Sequence, residues 1–111
     1  MEEIKTAATG LARRNERSVY VTLAELGIVG ASAEGQVEHL PILPLRGEIE
    51  IVGAGDAVTA NLTAALAAGA SLCEALELAN AAASIVIHQV GTTGTASVEQ
   101  LRALLLGRQP A

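Results

Sequence analysis

The stretch Gly53-Ala54-Gly55-Asp56 combines an anion cradle with a carboxylate at one point of the chain. Glycines that open into a helix let a phosphate approach the free backbone N–H groups of the helix N-terminus. An aspartate in the first helical turn repels that phosphate, unless its task is to take a proton from a hydroxyl that attacks the phosphorus. The sequence therefore predicts phosphoryl transfer, with Asp56 as the general base.

The residues alone leave two other interpretations of this turn open. A dinucleotide-binding fingerprint shares its G-x-G, but Val58 stands where that fingerprint needs a third small residue. It also needs a second strand after the helix, whereas the chain is strongly helical from Ser71 onward. The simplest alternative is an ordinary helix start, in which Asp56 only complements the helix dipole.

Segments on both sides of the turn extend the pattern. The stretch EIVGAGDAVTA, residues 50–60, resembles the C-terminal signature D-T-x-G-A-G-D-x-F-x-A-G of the ribokinase-like, PfkB-type carbohydrate kinases. Residues 66–83 match the two helices that follow this signature in the family. VTLAELG, residues 21–27, resembles the family's nucleotide-binding strand and turn, V-T-L-G-E-x-G. Within the family, the chain resembles the heptose-phosphate kinases in particular.

The resemblance implies a role for each matching residue. Asp56 is expected to be the catalytic base, and the anion hole is expected at Gly53, Ala54 and Gly55, together with the N–H group of Asp56. The residues expected to border the nucleotide are Thr22, Ala24, Gly27, Asn80 and Gly91. The resemblance also implies ATP and Mg²⁺ as cofactors, with the magnesium ligands largely outside this chain, and a sugar or sugar phosphate as the second substrate.

Four positions depart from the family pattern, and one of them, Asn61 in place of a usual glycine, has no evident chemical meaning. Ala24 stands where the family has glycine, so its methyl group can crowd the nucleotide. Glu50 and Ile51 replace the usual Asp-Thr, and the aspartate helps to bind a monovalent cation in some relatives. A monovalent cation site is therefore in doubt here. The changes favour a non-catalytic, nucleotide-binding remnant as the alternative to an active kinase segment.

The chain has 111 residues, which corresponds to the C-terminal third of such a kinase. It contains no Gly-Gly-Asn sugar-binding segment and no N-x-x-E motif for magnesium and phosphate. We therefore expect residues 1–111 to form the C-terminal portion of an α/β, ribokinase-like αβα sandwich, without the N-terminal sugar-binding part. Half a sheet leaves an open edge, so self-association or a companion chain is expected. A purely structural interaction module is a further alternative.

Composition indicates a cytoplasmic domain. The net charge of −5 argues against nucleic-acid binding, and the longest uncharged stretches carry too many polar and small residues for a membrane span. Glu2 and Glu3 are the reverse of a basic signal-peptide start. The single cysteine, Cys73, is expected to be a small buried residue, and His39 and His88 to be structural, so no metal site is predicted.

Hydrophobic patterning divides the chain into a mixed first half and a helical second half. The pattern predicts a helix over 3–15, a buried strand over 18–23 in the centre of the sheet, and a hairpin of 28–31 and 36–40. Two prolines then favour an extended path to the glycine turn. Three helices follow. Capping boxes are predicted at Ser71 with Glu74 and at Ser97 with Gln100, and helix ends are predicted at Gly69 and Gly107.

Overall fold

The computed structural model describes residues 1–91 and 94–107. The elements, in chain order, are helix α1 (Glu2–Asn15), strand β1 (Val19–Thr22), a short 3₁₀ helix (Ala24–Leu26), strands β2 (Ile28–Ala31) and β3 (Val37–Leu40), and helices α2 (Ala54–Ala67), α3 (Leu72–Ile87) and α4 (Val98–Leu105). The first helix, the hairpin and the three later helices predicted from the sequence are confirmed.

The three strands form an antiparallel sheet in the order β1-β2-β3. β2 is the central strand and is buried along its whole length, whereas β1 lies at an edge and is only half-buried. The prediction that residues 18–23 form the central strand is therefore wrong. A β-branched run shows that a strand packs well but not where it lies. The central place belongs to β2, whose Gly30 brings the backbone close enough to α3 that an added Cβ would lie 3.0 Å from Leu76.

Helices cover both faces of the sheet and complete three layers. On one face, α1 packs Ala8 and Ala12 against Val29 of β2. On the other face, α2 and α3 cover Ile28, and Leu76 of α3 is fully buried beside it. Neighbouring residues of β2 serve opposite faces, as the alternation of side chains along a strand requires. The result is the αβα sandwich expected from the sequence.

Capping boxes begin α3 and α4, as predicted. The Ser71 hydroxyl accepts from the Glu74 N–H at 3.1 Å, and the Glu74 carboxylate accepts from the Ser71 N–H at 2.8 Å. Ser97 and Gln100 make the equivalent pair of hydrogen bonds. Because α3 follows α2 where a dinucleotide-binding unit requires a strand, that alternative is excluded.

The last helix packs on α3 rather than on the sheet. Leu101 of α4 is buried against Ala81 and Ala82, two fully buried residues of α3. α3 is thus covered by the sheet and α2 on one side and by α4 on another. Among the described helices, none is both long and apolar enough to span a membrane.

The connection from β1 to β2 has an unusual backbone. Ala24 has a φ of 51° and Gly27 a φ of 94°, values that favour glycine. A Cβ atom on Gly27 would overlap the Leu40 carbonyl oxygen and would lie 2.9 Å from the Pro41 Cα atom. The fold itself therefore requires glycine at position 27. At position 24 an L-residue holds a conformation that costs it about 1–2 kcal/mol.

We expect Gly27→Ala and Ala24→Gly to change stability in opposite directions. The alanine at position 27 must adopt a positive φ and displace the Leu40 carbonyl, so the free energy of unfolding should fall by more than about 1 kcal/mol. Glycine at position 24 removes the left-handed strain and should raise it by about 0.5–1 kcal/mol, after its entropic cost. Urea denaturation measures both. A Gly27→Ala variant as stable as the wild type would contradict the geometry of this turn.

The capping box of α3 should make stability depend on pH. Hydrogen bonds from Ser71, the backbone N–H first, lower the pKa of Glu74. A group with a lowered folded-state pKa stabilises the fold above its unfolded pKa, about 4.3, and this contribution is lost as pH falls through the folded value. Glu74→Gln should therefore lose less stability on acidification than the wild type. Urea denaturation at pH 7 and pH 3 tests this, with Glu3→Gln in the uncapped α1 as the control; equal acid sensitivity in Glu74→Gln and the wild type would refute it.

Candidate functional site

The turn Gly53-Ala54-Gly55-Asp56 forms the N-terminus of α2. Gly53 is the N-cap, with a φ of 88°, and no side chain caps the helix. The Ala54 N–H donates to the Ile51 carbonyl at 3.2 Å, so this group is not free to hold an anion. The N–H groups of Gly53, Gly55 and Asp56 have no backbone acceptor among the described residues. An added Cβ on Gly55 would meet open space, so the turn is accessible to a ligand.

The Asp56 side chain is exposed and makes no hydrogen bond or ion pair with a described residue. Its carboxylate belongs to the first turn of α2, in the same turn as the free N–H groups of Gly55 and of Asp56 itself. A free carboxylate in this position can accept a proton from a bound hydroxyl, while the N–H groups stabilise negative charge on an anion. The turn is therefore able to perform both of the tasks that its sequence predicts.

Residues 41–50, here called the tethered segment, lead to this turn without regular secondary structure and lie along α3. The side-chain amide of Asn80 donates to the Pro41 carbonyl at 2.8 Å. Further along the segment, the Arg46 N–H donates to Nε2 of His88 at 3.0 Å. Two polar side chains of α3 and its C-terminal end thus hold a segment that has no hydrogen-bond ladder of its own.

Glu50 fixes the end of the tethered segment that lies next to the turn. Its N–H donates to the Ile87 carbonyl at 2.8 Å, and its carboxylate accepts from the Gly91 N–H at 3.0 Å. Gly91 has a φ of 86°, which glycine adopts without strain. The carboxylate that marks a doubtful cation site in the sequence therefore makes a backbone hydrogen bond in this chain.

Two of the five residues expected to border the nucleotide, Gly27 and Asn80, meet at Pro41. The Gly27 backbone packs against Pro41, and Asn80 reaches the carbonyl of Pro41 from α3. Thr22 is the last residue of β1, and Ala24 lies with Gly27 in the connection from β1 to β2. Gly91, the fifth expected residue, lies instead beyond the C-terminal end of α3, where it contacts Glu50.

The two groups of predicted site residues are linked through α3. Asn80 holds the start of the tethered segment and Ile87 holds its end, and these two residues lie two turns, about 10 Å, apart on the same side of the helix. The residues that meet at Pro41 and the glycine turn are thus both positioned by α3. Their direct separation is set by the segment between Pro41 and Gly53.

The remaining chemically active residues have structural partners. His39 contacts the Leu26 carbonyl through Nε2 at 2.6 Å. Cys73 is half-buried, not fully buried as predicted, and its thiol lies 3.7 Å from a carboxylate oxygen of Glu77. Desolvation, and then Glu77, raise the pKa of Cys73, which opposes a reactive thiolate. Within residues 1–91 and 94–107, no group of three or more His, Cys, Asp or Glu side chains could hold a metal ion.

A groove of about 600 Å³ lies between the tethered segment, α3 and α4. Its lining includes Leu43 and Arg46 of the segment, His88 of the α3 end, and Gln100 of α4. None of the predicted site residues lines it. The sequence predicts a structural role for His88 but gives no sign of its bond to Arg46. No pattern in the sequence marks a contact between a helix end and an irregular segment 42 residues away.

Comparison with known proteins identifies the family of this chain. Residues 1–99 match the model of the pfkB family carbohydrate kinases. The chain is 40% identical over 111 residues to a Bifunctional protein HldE from Halorhodospira halophila, and 49% identical over 75 residues to one from Paramagnetospirillum magneticum. These matches cover 99% and 68% of this chain, but only 23% and 15% of the two relatives.

Solved structures share the fold of this chain over a similar fraction of their length. Phosphofructokinase-2 from Escherichia coli, in complex with potassium, superposes with a TM-score of 0.82 at 26% identity, over 96% of this chain and 35% of its own. Ribokinase from Arabidopsis thaliana, complexed with ribose and ATP, gives a TM-score of 0.74 at 28% identity, over 80% and 29%. The chain spans about a third or less of these proteins, and it belongs to the pfkB family of carbohydrate kinases.

Proposed function

We propose that this chain is the nucleotide-binding and catalytic-base segment of an ATP-dependent kinase that phosphorylates a hydroxyl of a sugar or sugar phosphate. The observation that carries the proposal is the start of α2. There an exposed carboxylate with no described partner shares one helical turn with free N–H groups and with the open space at Gly55. A free carboxylate beside an anion-binding turn suits the removal of a proton from a hydroxyl that attacks the bound phosphate.

In the proposed reaction, Asp56 orients the acceptor hydroxyl and removes its proton as the oxygen attacks the γ-phosphorus of ATP. The bond from that phosphorus to the β,γ-bridging oxygen breaks, and ADP leaves. The N–H groups of Gly55 and Asp56 stabilise the charge on the transferred phosphoryl group. Because this chemistry depends on positioning and electrostatics, a turn fixed by helix α2 and by the tethered segment suits it.

The nucleotide is proposed to lie between Pro41, where Gly27 and Asn80 meet, and the glycine turn. Ribokinase from Arabidopsis thaliana, which superposes on this chain, was solved with ribose and ATP. We place the base near Asn80 and the ribose and phosphates along Thr22, Ala24 and Gly27. Gly27 has a structural reason to be glycine, so its identity alone does not indicate a ligand. Mg²⁺ would be held by the phosphates and by residues outside this chain, and it would neutralise the phosphate charge.

The acceptor is proposed to be held mainly by the part of the kinase fold that this chain does not contain. The surface around the glycine turn supports an interface at this place, because exposed aliphatic side chains surround Glu50. They belong to Ile49, Ile51, Val52 and Val90. The outer edge of β1 has no strand partner among the described residues. A sugar phosphate of the heptose class is the first acceptor to test, since the chain resembles the heptose-phosphate kinases.

A non-catalytic nucleotide-binding segment is the second candidate. Its support is the strained Ala24 at a glycine position, together with the Glu50 carboxylate that is bound to Gly91. Both departures lie in segments that are proposed to face the nucleotide or the turn. Neither departure removes Asp56, so catalysis by the assembled kinase separates the two candidates. A cytoplasmic location stays a prediction for both.

We expect the isolated chain to show no sugar-dependent ADP release above background, because the sugar-binding part is absent and positioning supplies most of the catalysis. The chain should also self-associate or bind a companion, through the β1 edge and the aliphatic group around Glu50. A coupled ADP assay measures the ADP release, and robust turnover that disappears in Asp56→Ala would contradict the first expectation. Light scattering at micromolar concentration measures the association, and a clean monomer would contradict the second.

In the assembled kinase, Asp56→Asn should lower the single-turnover rate by roughly 10²–10⁴-fold, because general-base assistance is lost. Affinity for magnesium-ATP should stay equal or rise slightly, since one negative charge beside the phosphates is removed. Rapid-quench kinetics and calorimetric titration on one preparation provide both values.

The matched control is Glu99→Gln, which removes an exposed acid from the first turn of α4. Each substitution should cost about 0.3–1 kcal/mol of stability through the helix dipole, but only Asp56→Asn should slow the chemistry. Near-normal phosphoryl transfer in Asp56→Asn would remove Asp56 from the mechanism and leave it as an ordinary first-turn acid.

A further inference from the structure

His88 is the point at which an ionisable side chain holds the middle of the tethered segment. Its Nε2 accepts a hydrogen bond from the Arg46 N–H at 3.0 Å, and its Nδ1 lies 2.6 Å from the Ser84 carbonyl oxygen. A carbonyl only accepts and a backbone N–H only donates. The pair of contacts therefore assigns one tautomer, with the proton on Nδ1 and a lone pair on Nε2.

This tautomer is that of a neutral ring. When His88 takes up a second proton, Nε2 becomes a donor and faces the Arg46 N–H, so the hydrogen bond to the segment is lost. The contact to Ser84 survives, because Nδ1 donates in both charge states. Protonation therefore releases Arg46, in the middle of the segment, from His88 without releasing the ring from the helix, while the bonds of Asn80 and Ile87 to the segment stay in place.

Among the residues that the structure describes, none lining the groove around His88 is an acid that could hold the protonated ring in place. The tethered segment contributes the cationic Arg46, α4 contributes the amide of Gln100, and the α3 end contributes Ser84 and Gln89. No carboxylate is among the described residues that line this groove. A charged ring in this setting has only Ser84 as a described partner.

We propose that His88 is a positioning residue of the kinase site, whose neutral imidazole holds the tethered segment and so fixes the start of α2. The inference rests on the proposed function for its catalytic meaning, but the tether itself is a property of the free chain. Arg46 lies four residues before Glu50. Glu50 is hydrogen-bonded to Ile87 and Gly91 and lies three residues before Gly53. Loss of the Arg46 contact leaves Glu50 as the one described hydrogen-bonded anchor between Pro41 and the turn, beside the apolar contact of Leu43 with α3 and α4.

Amide NMR of the full ¹⁵N-labelled chain, titrated between about pH 5 and 8, tests this proposal without any nucleotide. The Arg46 amide should shift with the same midpoint as the His88 ring, and its hydrogen-exchange protection should fall roughly three- to tenfold as the ring is protonated. The amides of Glu50, Gly53 and Gly55 should shift with that midpoint as well.

Two variants complete the test. His88→Gln removes the titration and should abolish the pH-dependent shifts of the segment and the turn. His39→Gln removes the other histidine, which contacts Leu26 in the connection between β1 and β2. This variant should leave those shifts unchanged. The wild-type titration alone carries the proposal if His88→Gln does not fold.

Two results would overturn the proposal. An Arg46 amide that does not respond while the His88 ring titrates would disprove the tether. An Arg46 response without any response at Gly53 and Gly55 would show that the tether does not position the turn. Both results are independent of ATP binding, so they leave the proposed function standing, and failure of Asp56→Asn to slow catalysis leaves the tether standing.

Discussion

The hydrogen bonds between the tethered segment and α3 are the constraint on which the candidate site depends. The segment has no strand or helix of its own, so its backbone groups must find partners elsewhere. Asn80, Ile87 and His88 supply those partners along one side of α3. The position of the glycine turn is thereby coupled to a helix whose opposite sides are buried, and a displacement of the turn would cost these bonds.

The three layers explain why α3 can serve as this reference. Gly30 lets α3 approach the central strand closely, and Leu76 is fully buried in that contact. Ala81 and Ala82 make the same close approach possible for α4. Small residues on both sides of one helix therefore give it tight neighbours, and tight packing leaves few alternative positions. The polar side that remains is the side that holds the tethered segment.

Local signals in the sequence predicted much of this molecule. The capping boxes at Ser71 and Ser97 depend on side chains three residues apart, and the hairpin depends on a short turn, so both can be recognised from the sequence. The central strand could not, because burial of β2 results from helices distant in sequence. The bonds of Asn80 and His88 join positions 39 and 42 residues apart and follow no period. The positive φ of Ala24 contradicts its residue type, and only the family pattern of glycine there gave a sign of it.

Titration of the ¹⁵N-labelled chain with magnesium-ATP, with the amide shifts mapped along the sequence, tests the proposed nucleotide site. The largest changes are expected at Gly55 and Asp56, whose N–H groups are free, and at Thr22, Ala24 and Gly27, which are proposed to border the same ligand. Changes confined to the groove between α3 and α4, or no saturable change at millimolar nucleotide, would contradict it.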